Sequence, residues 1–258
     1  RVARAAQHVP DMLRYRRLAR EADVVHFQWL TTPELDVHLL PRDRPVVLTA
    51  HHVTPLAPRR GQVAGLRRVY ERVDAVVVHT REGAERMAAL GIAPDKVRVI
   101  PHGAFTHLAE QPDPAPLPPE LPVVDKPVVL LFGLMRPYKG IDVALEAWRG
   151  ITDAELWVVG LPQMDVAPLR AAAPPGVRFV ERFISDEEIP AFFRRADVVL
   201  LPYRRIDQSG VLFTALAFGR PLVLSAVGGF PEVAETGVAE LVPPGDAGAL
   251  HERLAALL

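Results

Sequence analysis

The chain has 258 residues, 49% hydrophobic and 24% charged, a composition ordinary for a globular protein and a length that accommodates two domains of roughly 100 to 150 residues. Its formal net charge of −1 conceals an asymmetry: residues 1–105 hold 17 Arg/Lys against 11 Asp/Glu, net +6, and the other 153 hold 13 against 20, net −7. With no cysteine, disulfides, thiolate metal sites and cysteine nucleophiles are excluded, and no apolar run approaches the roughly 20 residues that cross a bilayer.

The chain opens on Arg1 and a helical pattern, and is read as a fragment. The first half then repeats one unit, in which a helical pattern ends at an aspartate and a short β-branched run follows. "EADVVHFQ" (21–28) and "RVDAVVVHT" (72–80) have this form, with "PVVLTAH" (45–51) and "KVRVIPHG" (96–103) as further strand candidates. Runs of Val, Ile and Leu without polar alternation fit strands buried on both faces. In "TAHHVTP", His51 and His52 stand at a strand end, where they are either structural or ligand-facing. His26 and His79 fit hydrogen-bonded residues at the core edge, and His102 either a hinge or a ligand contact. Of 30 basic residues only Lys96, Lys126 and Lys139 are lysine, so the arginine excess reads as coding bias. The basic half either carries scattered solvated arginines or faces an anionic acceptor or membrane surface.

"AEQPDPAPLPPELPVVDKP" (109–127) has seven prolines and no period, and reads as a stiff linker. The expected division is 1–108, a linker at 109–126, and 127–258. Beyond it come "VVLLF" (128–132), "AELWVVG" (154–160), "GVRFV" (176–180), "RADVVLLPY" (195–203) and "PLVLSAVGG" (221–229), alternating with helical stretches. "SDEEIPAFFRRA" opens with a capping-box pattern, Ser185 with Glu188, and sets Ile189, Phe192, Phe193 and Ala196 on one stripe. "GDAGALHERLAALL" spaces Leu250, Leu254 and Leu257 in the same way. Strand–helix alternation predicts two α/β domains, each a doubly wound parallel sheet, with a cleft between them.

In such sheets ligands bind beyond the carboxyl ends of the strands. No Gly-x-Gly-x-x-Gly, Walker A, His-Glu-x-x-His or Gly-x-Ser-x-Gly is present, and no two aspartates stand two apart. No metal site is expected. In "GLMRPYKG", Gly133 breaks an apolar run and Arg136 and Lys139 follow, either as an anion grip or as the wet rim of a turn. "IDQSGVLFTALAFGRP" places Ser209, Gly210 and Val211 at a helix start, which suits phosphate or simple capping. "VGGFPEV" brings Gly228 and Gly229 before a helix whose first turn holds Glu232, either near a ligand or complementing the dipole.

In order and spacing these blocks resemble the retaining, family-four group of GT-B glycosyltransferases. "LLFGLMRPYKGIDVALEAW" is similar to that family's phosphate-binding strand–loop–helix. "FISDEEIPAFFRRADVVLLPY", "SGVLFTALAFGRPLVLSAVGGFPEV" and "ELVPPGDAGAL" follow in the family's order. In the first half "ADVVHFQWL", "PVVLTAHHVTP", "DAVVVHTREGAERM" and "KVRVIPHGAF" match in turn. The resemblance implies a nucleotide-diphosphate sugar donor, with no other cofactor, bound mainly by the second domain, and an acceptor bound mainly by the first. It implies that Arg136 and Lys139 hold the diphosphate and stabilise the leaving nucleoside diphosphate, standing in for a metal. Gly133, Ser209, Gly210 and Val211 would lie near the phosphates, Gly228, Gly229 and Glu232 on the donor loop, and His51 and Gln28 against the sugar and acceptor.

Three departures qualify that expectation. Ile206 and Thr214 stand where many relatives carry two glutamates, so Thr214 occupies a donor-site position without a carboxylate for the ribose diol. Gln28 replaces the second histidine of a His-x-His and cannot itself shuttle a proton. The family's usual first strand and glycine-rich loop do not precede Arg1, and its terminal helix, which crosses back onto the first domain, is not reached by Leu258; the fragment is therefore expected to be weak or dead as a catalyst. The expected partners are a sugar nucleotide and an acceptor sugar, lipid-linked sugar or other hydroxyl, with no nucleic acid. The expected setting is cytoplasmic, with peripheral contact at the inner membrane face through the basic half. A non-catalytic sugar-nucleotide-binding or scaffold protein and a GT-B sugar-nucleotide epimerase are the rival readings.

Overall fold

Two parallel sheets carry the fold, one in each of two compact units, Arg1–Pro101 and His102–Leu258. The computed structural model describes residues 2–55, 57–112, 115–121 and 124–258; Asp113, Pro114, Pro122 and Val123 of the expected linker lie outside the described residues.

The first unit runs α1 (Val2–Leu18), β1 (Val25–Phe27), α2 (Pro33–Leu39), β2 (Val46–Thr49), α3 (Gln62–Arg72), β3 (Ala75–Val78), α4 (Arg81–Ala89) and β4 (Val97–Val99). Its strands lie in chain order, β1-β2-β3-β4, all parallel. Right-handed crossovers stepping in one direction put the connecting helices on one face. Val25, Phe27, Val46, Leu48, Val76 and Val78 accordingly share a core with Leu39, Val69, Tyr70 and Met87. The expectation of strands buried on both faces fails at the margins. His26 in β1 and Arg98 in β4 are exposed, as are Val99 (43%) and Ile100 (53%), because β1 and β4 are edge strands.

The second unit begins with α5 (Thr106–Ala109), followed by β5 (Val128–Phe132), α6 (Ile141–Ala147), β6 (Glu155–Val159), α7 (Ala167–Ala171) and β7 (Val177–Val180). Then come α8 (Ile189–Arg195), β8 (Val198–Leu201), α9 (Gly210–Ala217), β9 (Leu222–Ser225), α10 (Phe230–Ala234), β10 (Ala239–Val242) and α11 (Ala247–Leu257). Strand order is β10-β9-β8-β5-β6-β7, again all parallel. The chain winds outward from β5 in one direction and from β8 in the other, so its topological switch point lies between them. Alternate residues of β5 enter two cores: Val128, Leu130 and Phe132 join Phe192 and Phe193, whereas Val129 and Leu131 join Trp148. Leu250 and Leu254 are buried on α11, but Leu257 is 43% exposed, contrary to its spacing, at the helix's last residue. Of the capping box before α8, one half forms: Glu188 Oε2 accepts from Ser185 N at 3.0 Å.

The recurring aspartate has a structural reason. Asp74 accepts the N–H of Val46 at 2.7 Å, and Asp197 that of Val128 at 2.8 Å. Each satisfies the first donor of the neighbouring strand, a group that would otherwise enter the core unpaired.

The proline-rich segment lies on the second unit. Proline offers carbonyls but no N–H, and arginines supply the donors. Arg194 Nη2 bonds the carbonyls of Ala109 (3.0 Å) and Gln111 (2.6 Å), and Arg195 Nη2 those of Val124 (2.8 Å) and Lys126 (2.6 Å). Leu108 and Leu121 are buried in the same core as Phe192 and Phe193.

Candidate active site

The donor-side candidates collect on the loops after β5, β8 and β9, at and beside the switch point. Gly133 ends β5 with φ +99°, and a Cβ there would lie 2.9 Å from Lys139 Nζ and 3.2 Å from Val211 Cγ2. Glycine therefore makes the space that the Lys139 ammonium occupies. Lys139 closes a short 3-10 turn, Pro137–Lys139, and is 5% exposed. Its Nζ donates to the Phe132 carbonyl at 3.0 Å and lies 4.9 Å from the centre of the Tyr203 ring.

Burial lowers the Lys139 pKa to about 8, with Tyr138 opposing the shift and Arg136 adding to it. It remains an ammonium at neutral pH. Of its three donors, one is bonded among the described residues, and a buried ammonium so placed favours an anionic partner. Arg136 is exposed, and its guanidinium makes no hydrogen bond or ion pair among the described residues.

Tyr203, one residue pair beyond β8, joins the loops, and sequence reasoning missed it. It is 1% exposed; its hydroxyl lies 3.3 Å from Ser209 Oγ, and its ring contacts Tyr138 and Phe230 at 5.7 and 5.6 Å between centres. Burial pushes its hydroxyl pKa well up, so it stays a neutral donor. The available signal was a polar aromatic two residues after an all-apolar strand.

Ser209 stands at the N-cap position of α9, but its hydroxyl turns to Tyr203 and makes no cap. Simple capping is thus not its role, and the first amides of α9, at Gly210 and Val211, have no side-chain cap. Thr214 is 7% exposed and its Oγ1 donates to the Gly210 carbonyl at 3.0 Å, so its hydroxyl is committed to the helix. Ile206 is a core residue, not a site residue. Gly228, at φ +55°, sits so closely against the Ile206 carbonyl that any side chain would overlap it. Gly229 N donates to the Asp207 carbonyl at 3.2 Å, closing the third loop on the second. Glu232 is half-buried in the first turn of α10.

A second unpredicted device braces these loops. Arg204 forks onto Asp142 with bonds of 2.8 and 2.6 Å, and its backbone N donates to the Tyr138 carbonyl at 2.8 Å. The Arg204 hydrogen bonds hold the Asp142 carboxyl below its ordinary pKa. The fork ties the turn bearing Lys139 to the loop after β8. Two cations and uncapped helix amides thus stand together beside the switch point, an arrangement whose chemistry suits an anion.

Gln28 and His51 meet in the first unit, with Gln28 Oε1 3.2 Å from His51 Nε2. They stand at the carboxyl ends of β1 and β2 and belong to the other compact unit. His26 bonds Thr49 Oγ1 at 2.8 Å and His79 the Ile100 carbonyl at 2.9 Å. His102 falls with the second unit, stacked on Phe213 at 4.4 Å. Among the described residues no group of three or more His, Cys, Asp or Glu is placed to hold a metal ion, and no helix is long and apolar enough to cross a membrane.

Residues 126–258 match the family model for glycosyl transferases group 1, and residues 2–108 that for glycosyltransferase family 4. The GDP-mannose:glycolipid 4-beta-D-mannosyltransferase of Xanthomonas campestris pv. campestris is 29% identical over 190 residues, covering 69% of this chain and 49% of that protein. The phosphatidyl-myo-inositol mannosyltransferase of Mycobacterium leprae is 30% identical over 246 residues, covering 92% of this chain and 64% of that protein. The chain thus spans about half to two thirds of the length of these relatives. Anabaena HepE, solved in complex with UDP, superposes with a TM-score of 0.81 over 97% of this chain and 72% of its own, at 20% identity, a likeness of fold alone. The chain belongs to the group 1 glycosyltransferases, and its two Rossmann-like parallel-sheet domains are those of the GT-B fold.

Proposed function

We propose that the protein transfers a sugar from a nucleotide-diphosphate donor to an acceptor hydroxyl, with retention and without a metal cofactor. The observation that carries this reading is the Lys139 ammonium, buried beside the uncapped start of α9 in the space left by Gly133. Such a group is costly in an empty protein and becomes favourable when a diphosphate completes its bonds. As the sugar leaves, charge builds on the diphosphate, and Lys139, Arg136 and the α9 amides are assigned to meeting that charge. Retention rests on the resemblance to the retaining group. Gln28 and His51 are assigned to the sugar and acceptor side.

Relatives named as acting on a glycolipid and on phosphatidyl-myo-inositol support a sugar or lipid-linked acceptor. The +6 charge of residues 1–105 supports peripheral contact with an anionic membrane, at its cytoplasmic face. Thermal shifts with uridine-, guanosine- and adenosine-diphosphate sugars test the donor site. One base series is expected to stabilise the protein, and Arg136→Ala and Lys139→Ala to abolish that shift. Equal shifts in both variants would remove the site.

A non-catalytic sugar-nucleotide binder is the second reading, favoured by Ile206 and Thr214, whose buried side chains leave no carboxylate at those two positions. Donor binding without donor hydrolysis or transfer would select it.

A further inference from the structure

At the carboxyl ends of the first unit's strands, five side chains and one carbonyl form a continuous hydrogen-bonded chain. Thr49 Oγ1 lies 2.8 Å from His26 Nε2, which lies 3.3 Å from Gln28 Nε2. Gln28 Oε1 is 3.2 Å from His51 Nε2, His51 Nδ1 is 3.3 Å from His79 Nε2, and His79 Nδ1 is 2.9 Å from the Ile100 carbonyl. The His51 and His79 rings are 5.1 Å apart between centres.

The donor and acceptor roles along this chain determine a proton count. A carbonyl only accepts, so His79 Nδ1 carries a proton. One proton lies between His79 Nε2 and His51 Nδ1. With Gln28 Oε1 turned toward His51, Nε2 of His51 carries a third, and three protons on two imidazoles make the pair a monocation. With the amide turned over, Gln28 donates to His51 Nε2, and two protons suffice for a neutral pair. The same turn presents an acceptor to His26 Nε2 where a donor stood before. Both arrangements use the same heavy-atom positions, because the oxygen and nitrogen of an amide are nearly interchangeable in shape.

We propose that His79 is a positioning residue for His51, fixing its tautomer, and that the Gln28 amide turns with the charge of the His51–His79 pair and relays it to His26. In the neutral pair His51 then carries its proton on Nδ1, the reverse of the preference of a free imidazole. Along these elements the other titratable groups are His26 on β1, His52 beside His51, Arg98 on β4, and Arg81, Glu82, Glu85 and Arg86 on α4, where Arg86 donates to Thr54 Oγ1 at 2.9 Å. On the proposed function, the relay decides whether the acceptor side presents a cationic or a neutral imidazole.

Long-range 1H–15N correlation of the histidine rings in the 15N-labelled chain tests this without any turnover, so its failure is distinct from failure of the transferase reading. At a pH where both rings are neutral, the expected His51 form is Nδ1–H; an Nε2–H form overturns the proposal. In His79→Ala, with the backbone amide spectrum otherwise retained, His51 is expected to switch to Nε2–H, and persistence of Nδ1–H overturns it. Gln28 is exposed, so Gln28→Leu should fold, and it removes the acceptor that serves the cation. The pH at which His51 takes up its second proton should fall, and an unmoved midpoint would sever the amide from the relay.

Discussion

The two sheets are built alike and finished differently. Both are parallel, both begin strands against an aspartate, and both bury their apolar runs under helices. The first keeps its strands in chain order and ends them in uncharged and imidazole side chains that bond one another. The second reverses direction between β5 and β8 and there holds two cations, one buried and one exposed. Reversal parts the connecting loops and opens a crevice, so charge can be held there out of water. The cost falls on Lys139. Its pKa stands at about 8 against 10.5, which corresponds to about 3 kcal/mol of destabilisation when both states are protonated.

The largest expected break of this comparison is Lys139→Met. It should lower affinity for a nucleoside diphosphate by about 100-fold, near 3 kcal/mol. It should also stabilise the empty protein by on the order of 1–3 kcal/mol, since the buried charge is gone. Calorimetric titration and urea unfolding check the pair of effects; a destabilised variant with intact affinity would contradict both.

The same group gives a pH dependence. In the folded protein Lys139 releases its proton near pH 8, well below its release in the unfolded chain. Stability should therefore rise as pH goes from about 8 to 10.5, while diphosphate affinity falls by about tenfold per pH unit above about 8. Affinity that is flat between pH 7 and 10 would show that the ammonium does not meet the ligand.

The smallest effect belongs to the Arg204–Asp142 fork, whose side chains are 44% and 52% exposed. Asp142→Asn should change stability by less than about 1 kcal/mol and affinity by a few-fold. A loss rivalling that of Lys139→Met would relocate the centre of the site to the brace.

Much of the second sheet was legible because most of its strands are short runs rich in Val and Leu, and the loop after β5 opens on Gly133 and carries two cations. What escaped depended on long-range neighbours. Only the fold shows Tyr203 touching Lys139, Ser209 and Phe230. Ser209 reads as either a cap or a phosphate contact because its own helix is nearby in sequence, yet its hydroxyl has a partner six residues back. His79 reads as a hydrogen-bonded residue at the core edge, and its partner His51 appears only when β2 and β3 are laid side by side. The exposure of Val99 and Ile100 follows from strand order, which local pattern does not contain.

The proline-rich segment has a consequence for what counts as a separable piece. With Leu108 and Leu121 embedded beside Phe192 and Phe193, and its carbonyls gripped by Arg194 and Arg195, this connection is an organ of the second unit. A polypeptide begun at Lys126 would leave two leucine-sized holes in its core, each worth roughly 1.5–3 kcal/mol. One begun at His102 would bring its own plugs.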